Sequence, residues 1–169
     1  MRNIRAAIAA TMLLAGSAMA ADDDKSYGLK QSEPTTGTAI RQKMAKGSSI
    51  PMDLRYDQMT PEQQAAVKSV YDRMPADDEP PFPAGGMSPV VKALLKGAGA
   101  YHVYGLVDLT VEVGPDGTAR GVSAYALPDD ADFRQFVVSL VMVTRYKPAV
   151  CAGKPCVMSW PLQLEIVRP

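Results

Sequence analysis

Seven consecutive residues, Val107-Asp108-Leu109-Thr110-Val111-Glu112-Val113, alternate apolar and polar without an error. No other feature limits the fold as tightly. A period of two puts one face of a strand on a core and the other in water. Gly114-Pro115-Asp116-Gly117 follows, and each of the four residues favours a turn. A second strand is expected over about 118–127, with Val122, Ala124 and Ala126 inward and Pro128 as its stop. The two strands form a hairpin. Further along, Met158, Trp160, Leu162, Leu164 and Ile166 share one face of a third strand, and Ser159, Pro161, Gln163 and Glu165 share the other.

Between and before the strands the period changes to that of a helix. Phe133, Phe136, Val137, Leu140 and Val141 fall at i, i+3, i+4, i+7 and i+8, with Asp129 or Asp130 as the cap. Ser88-Pro89 opens another helix, Val91, Leu94 and Leu95 give it an apolar stripe, and Gly97 suits its left-handed end. An earlier helix begins at Thr60-Pro61 with Gln63 completing a capping box. It carries Val67, Val70, Tyr71 and Met74, and Pro75 stops it. The order of the main domain is helix, strand, strand, helix, strand. Each element has one apolar face to hide, so the fold class is α+β: a small three-stranded antiparallel sheet packed against two helices, preceded by a helical extension.

The first residues have the form of a secretory leader. Arg2 and Arg5 are a positive start, Ala6 to Ala18 is apolar but for Thr11, Gly16 and Ser17, and Ala18-Met19-Ala20 offers small residues at alternate positions. The apolar run is shorter than the ~20 residues that cross a bilayer. Cleavage after Ala20 and a periplasmic location are therefore expected, with no stable membrane insertion afterwards. The expected organisation is a signal peptide over 1–20, a polar arm over 21–50, a helical extension with a Pro-rich connection over 51–81, and the main domain over 82–169.

The charges balance, with 18 Lys and Arg against 18 Asp and Glu. No basic face is available to neutralise nucleic-acid phosphates. Cys151 and Cys156 are the two cysteines. In an oxidising compartment a pair this close is expected to bridge. The loop they close has six residues, so the chain-entropy gain is about 2 kcal/mol, and the bridge fixes a turn more than it holds a fold. Two thiols are half of a structural zinc site, and the single histidine, His102, lies far off in sequence. His102 has no evident nucleophile or orienting acid. Helix capping accounts for Asp129, Asp130 and Asp132. Scattered methionines such as Met44, Met52, Met59 and Met74 do not make a copper cluster. No catalytic, cofactor or metal site is expected.

The helix near Pro89 to Lys96 precedes Gly105-Leu106-Val107-Asp108-Leu109-Thr110-Val111, then the Pro115-Asp116-Gly117 turn. The helix with Phe133 and Phe136 leads into Arg145-Tyr146-Lys147-Pro148-Ala149, then Gly153-Lys154-Pro155 and the last strand. This ordered set of motifs resembles the C-terminal domain of TonB-family proteins over about residues 82–168. It implies a small sheet domain that binds protein segments by adding a strand at an exposed edge, with the last strand at that edge. An energy transducer of this kind also needs a retained membrane helix and a long Pro-rich spacer. That role applies here only if the leader stays as an anchor.

Pro161 fits an edge position, because proline cannot donate to a ladder. The residues Ser159, Pro161, Gln163 and Glu165 are therefore the candidate partner-binding edge. The expected function is that of a non-enzymatic binding or accessory protein, its partner a peptide segment or envelope protein. A homodimer through the same edge is a further partner expectation. The contrasting reading is a structural or stress-related envelope protein whose edge is protected and captures nothing. Trp160 reads as a core anchor and Tyr125 as an outward aromatic.

Overall fold

A computed structural model describes residues 50–72 and 74–168. The leader and all of the polar arm except Ile50 lie outside the described residues. The alternating segment forms the centre of the molecule as β2 (Gly105–Val113). Val107, Leu109, Val111 and Val113 are all fully buried on one face. β2 pairs antiparallel with β3 (Ala119–Ala126) on one side, across the 114–117 turn. On its other side it pairs with the last strand, β7 (Met158–Ile166), giving the order β3-β2-β7. The β2–β7 register runs unbroken from Gly105↔Ile166 to Val113↔Met158.

The β2–β3 ladder is less regular, with register shifts between Asp108 and Leu109 and between Glu112 and Val113. Leu109 faces Ala124 while Asp108 faces Ala126, so Tyr125 is the extra residue of a bulge. The bulge reverses the alternation. Ala126 pairs across from the outward Asp108, and Leu127 reaches the core in its place.

Two helices cover the apolar face. α2 (Met87–Tyr101) and α3 (Ala131–Val143) bring Leu94, Ala98, Phe133, Val137 and Val141 onto the sheet. α3 is capped by Asp130, whose side chain accepts from the Phe133 amide at 2.7 Å. α2 outruns the expected stop at Gly97. That glycine lies inside the helix against the Phe136 ring, which occupies the space a Cβ would need. The left-handed C-cap falls on His102 instead (φ 55°), a residue type that tolerates this region better than most.

Residues 50–81 share the core of the sheet domain. α1 (Pro61–Lys68) has the expected capping box, with Thr60 Oγ1 accepting from the Gln63 amide and Gln63 Oε1 accepting from the Thr60 amide. It ends well before Pro75. Val67, with Tyr56 and Met59, joins the main core, and Tyr71 is buried separately with Ala149 and Met158. Glu79 ties the two parts together by a bridge to Val150 in β5 (Ala149–Cys151), and just beyond it, inside the sheet domain, β1 (Phe82–Pro83) lies on β4 (Tyr146–Lys147).

β5 turns into β6 (Lys154–Cys156) through Ala152 and Gly153, both at positive φ. Two positive φ values in a two-residue loop are what a twisted hairpin needs. Cys151 pairs with Lys154 and Cys156 with Ala149, so the cysteines face each other diagonally. Their Cα atoms are 5.8 Å apart and the disulfide is formed.

Candidate functional site

The site residues Ser159, Pro161, Gln163 and Glu165 all lie on β7, which is an edge strand of its sheet. Their side chains share the sheet face opposite the main core. Gln163 Nε2 donates to Asp108 Oδ2 on β2 at 3.2 Å. On the same face Thr110, which pairs with Pro161, has its Oγ1 3.4 Å from the Tyr125 hydroxyl.

The backbone of these four residues is the part that matters for strand addition. In an antiparallel ladder alternate residues turn their N–H and C=O to opposite sides. Pro161 has no N–H, so the pairing with β2 is complete only where Pro161 and its alternates face outward. Ser159 has the same parity, and its carbonyl accepts from the Tyr71 hydroxyl at 2.9 Å. The outer rail of β7 is thus occupied at Ser159, lacks a donor at Pro161, and carries the amides of Gln163 and Glu165 beyond it.

Beside this rail lies the disulfide hairpin. Asp78, itself buried, accepts from the Ala152 amide at 2.8 Å through Oδ1. Glu79 and Val150 exchange backbone hydrogen bonds of 2.9 and 2.8 Å. Cys151 and Cys156 pack on the cluster that buries Tyr71.

The Arg145–Ala149 run serves packing. The Tyr146 ring is buried 5.3 Å from Trp160, and its hydroxyl donates to the Val141 carbonyl at 3.0 Å. Lys147 Nζ pairs with Glu79 at 2.8 Å and lies 4.8 Å over the Tyr56 ring. The Tyr56 hydroxyl is buried with no protein partner. Burial, then the nearby Glu79 charge, pushes Tyr56 up to about 12. Burial likewise raises Tyr71 and Tyr146 well above an ordinary phenol.

These shifts carry a pH dependence. A phenol whose folded pKa is raised stabilises the fold fully below its unfolded pKa, near 10, and the contribution is lost above it. Stability should fall as pH rises from about 10 through 12. Absorbance titration of the phenolates should show Tyr56, Tyr71 and Tyr146 ionising only with unfolding. Ionisation of all seven tyrosines near pH 10 with the fold intact would contradict this.

Elsewhere the described residues offer little chemistry. His102 is exposed at its cap position. Asp130 caps α3, and Asp129 pairs with Arg134 at 2.5 Å. No group of three or more His, Cys, Asp or Glu side chains among the described residues could hold a metal ion. A shallow groove of about 260 Å³ runs between Pro83, Pro89 and Leu140. Arg145 is the charged member of its lining, and the Thr144 hydroxyl there donates to the Leu140 carbonyl at 2.7 Å. No helix among the described residues is long and apolar enough to cross a membrane.

Sequence reasoning found the β7 residues through alternation and Pro161. It missed Tyr71 and the Lys147–Glu79–Tyr56 cluster, which join residues far apart in the chain without a shared motif. Compared with family models, with curated proteins and with solved structures, the chain matches none.

Proposed function

We propose that this is an exported, periplasmic, non-enzymatic binding or accessory protein on a TonB-C-like domain, recognising an extended segment of a peptide or envelope protein by strand addition at β7. The observation that carries this reading is the regularity of β7. It pairs with β2 along nine residues without a register shift and has no strand on its other side among the described residues. The part of that edge beyond Pro161, with the Gln163 and Glu165 amides, can template a further strand, with main-chain bonds giving affinity and alternate side chains giving selectivity. The opposite edge, β3, is interrupted by two irregularities, the kind of feature that discourages pairing.

A second reading is a structural envelope protein with a guarded edge. Pro161 and the Tyr71–Ser159 hydrogen bond favour it. Photocrosslinking in intact cells separates the two. A photoreactive residue at Gln163 should give one discrete adduct, and the same probe at the exposed Gln135 on α3 should not. The adduct's mass separates a homodimer from a second protein. A folded, well-expressed Gln163 variant that yields no adduct would leave the guarded-edge reading standing.

A further inference from the structure

Three observations converge on Tyr71. Its ring is 3% exposed, packed with Ala149 and Met158 against Met74, Cys151 and Cys156. Its hydroxyl holds the Ser159 carbonyl of the β7 rail. The backbone beyond it is fastened to the disulfide hairpin by the Glu79–Val150 pair and by Asp78 on Ala152. A strand adding to β7 needs the Ser159 carbonyl as an acceptor, so it must displace Tyr71 to pair along the whole edge.

We propose that Tyr71 is an intramolecular cap on the β7 edge and that the Cys151–Cys156 hairpin is the latch that keeps it closed. The proposal rests on the reading of β7 as a capture edge, and it names how access to that edge is controlled. Both cysteines are half-buried. A dithiol reductant opens the latch by thiol–disulfide exchange. One thiolate of the reductant attacks a cysteine sulfur and breaks the S–S bond. Its second thiol resolves the mixed disulfide. The reductant leaves as its own disulfide, and Cys151 and Cys156 together take up two electrons and two protons. The hairpin then loses its staple, its hold on Asp78 and Glu79 weakens, and Tyr71 is free to leave Ser159.

The test uses the whole oxidised protein and a fluorescent synthetic peptide copying Gly105–Val113, with lysines added at its ends for solubility. This strand already pairs with the inner rail of β7. Tyr71→Phe keeps the ring and removes the hydroxyl. One hydrogen bond's net contribution corresponds to about a five-fold change in affinity. Tyr71→Phe should therefore bind the peptide about five-fold more tightly than wild type, and wild type with dithiothreitol should gain at least as much. Amide exchange at Glu79 and Val150 should rise on reduction while Leu109 and Val111 stay protected. Equal peptide affinity in wild type and Tyr71→Phe overturns the cap and leaves the capture edge intact. Unchanged exchange at Glu79 and Val150 on reduction overturns the latch. No binding to any form overturns the capture reading, and the proposal with it.

Discussion

Gly117→Ala should lower stability by about 3 kcal/mol, seen as a lower urea midpoint at unchanged slope. Two costs add. Gly117 sits at φ +74°, where a side chain costs roughly 1–2 kcal/mol. A Cβ there would also overlap the Tyr146 carbonyl oxygen, which is backbone and cannot swing aside. Forcing atoms into filled space costs typically ~1–3 kcal/mol. The same two residues are joined by the Tyr146 amide donating to the Gly117 carbonyl at 3.0 Å, so strain there disturbs the link between the β2–β3 turn and β4. Gly153→Ala is the matched comparison. Gly153 has nearly the same φ, +79°, with nothing within 4 Å of the added carbon, and it should lose only the conformational ~1–2 kcal/mol. Equal losses in the two variants would show that the approach of Tyr146 carries no energy.

Trp160→Ala should cost about 3–5 kcal/mol, the range for deleting a large buried aromatic. Trp160 is 3% exposed, packed on Tyr146 and directly across from Val111. It is the single tryptophan, so unfolding of the variant must be followed by circular dichroism. Tyr125→Ala, at a position 69% exposed, should stay within about 0.5 kcal/mol of wild type, as surface changes usually do. A Trp160→Ala protein as stable as wild type would remove Trp160 from the core and return it to the surface as a contact residue.

What the sequence made legible is what local pattern controls. Alternation located β2 and β7 and assigned their buried faces, because each residue's side is set by its neighbours in the chain. The α3 stripe and the Asp130 cap were legible for the same reason, and Pro161 marked an edge through its missing donor. The rest depends on distant partners. Gly97 offers a helix end, but Phe136 from α3 fills the space beside it and the helix continues to Tyr101. Tyr71 follows the period of α1, yet burial with Ala149 and Met158 and a bond to Ser159 draw it out of the helix. The bulge at Tyr125 reverses inside and outside with no glycine or proline beside it as a signal. Of β7, its place at the sheet edge was legible, but the Tyr71 hydroxyl on the Ser159 carbonyl was not.

The position of β2 between β3 and β7 also bears on how the chain reaches this state. β3 is its neighbour across a short turn, whereas β7 lies beyond α3 and the disulfide hairpin in the chain. Non-local pairings of this kind form slowly, since a large loop must close before any bond compensates for it. Until β7 docks, β2 is itself an open edge, with Val107, Leu109, Val111 and Val113 along one face. The species most prone to aggregate is therefore the partly folded hairpin, and the docking of β7 is in kinetic competition with the pairing of two unfinished chains.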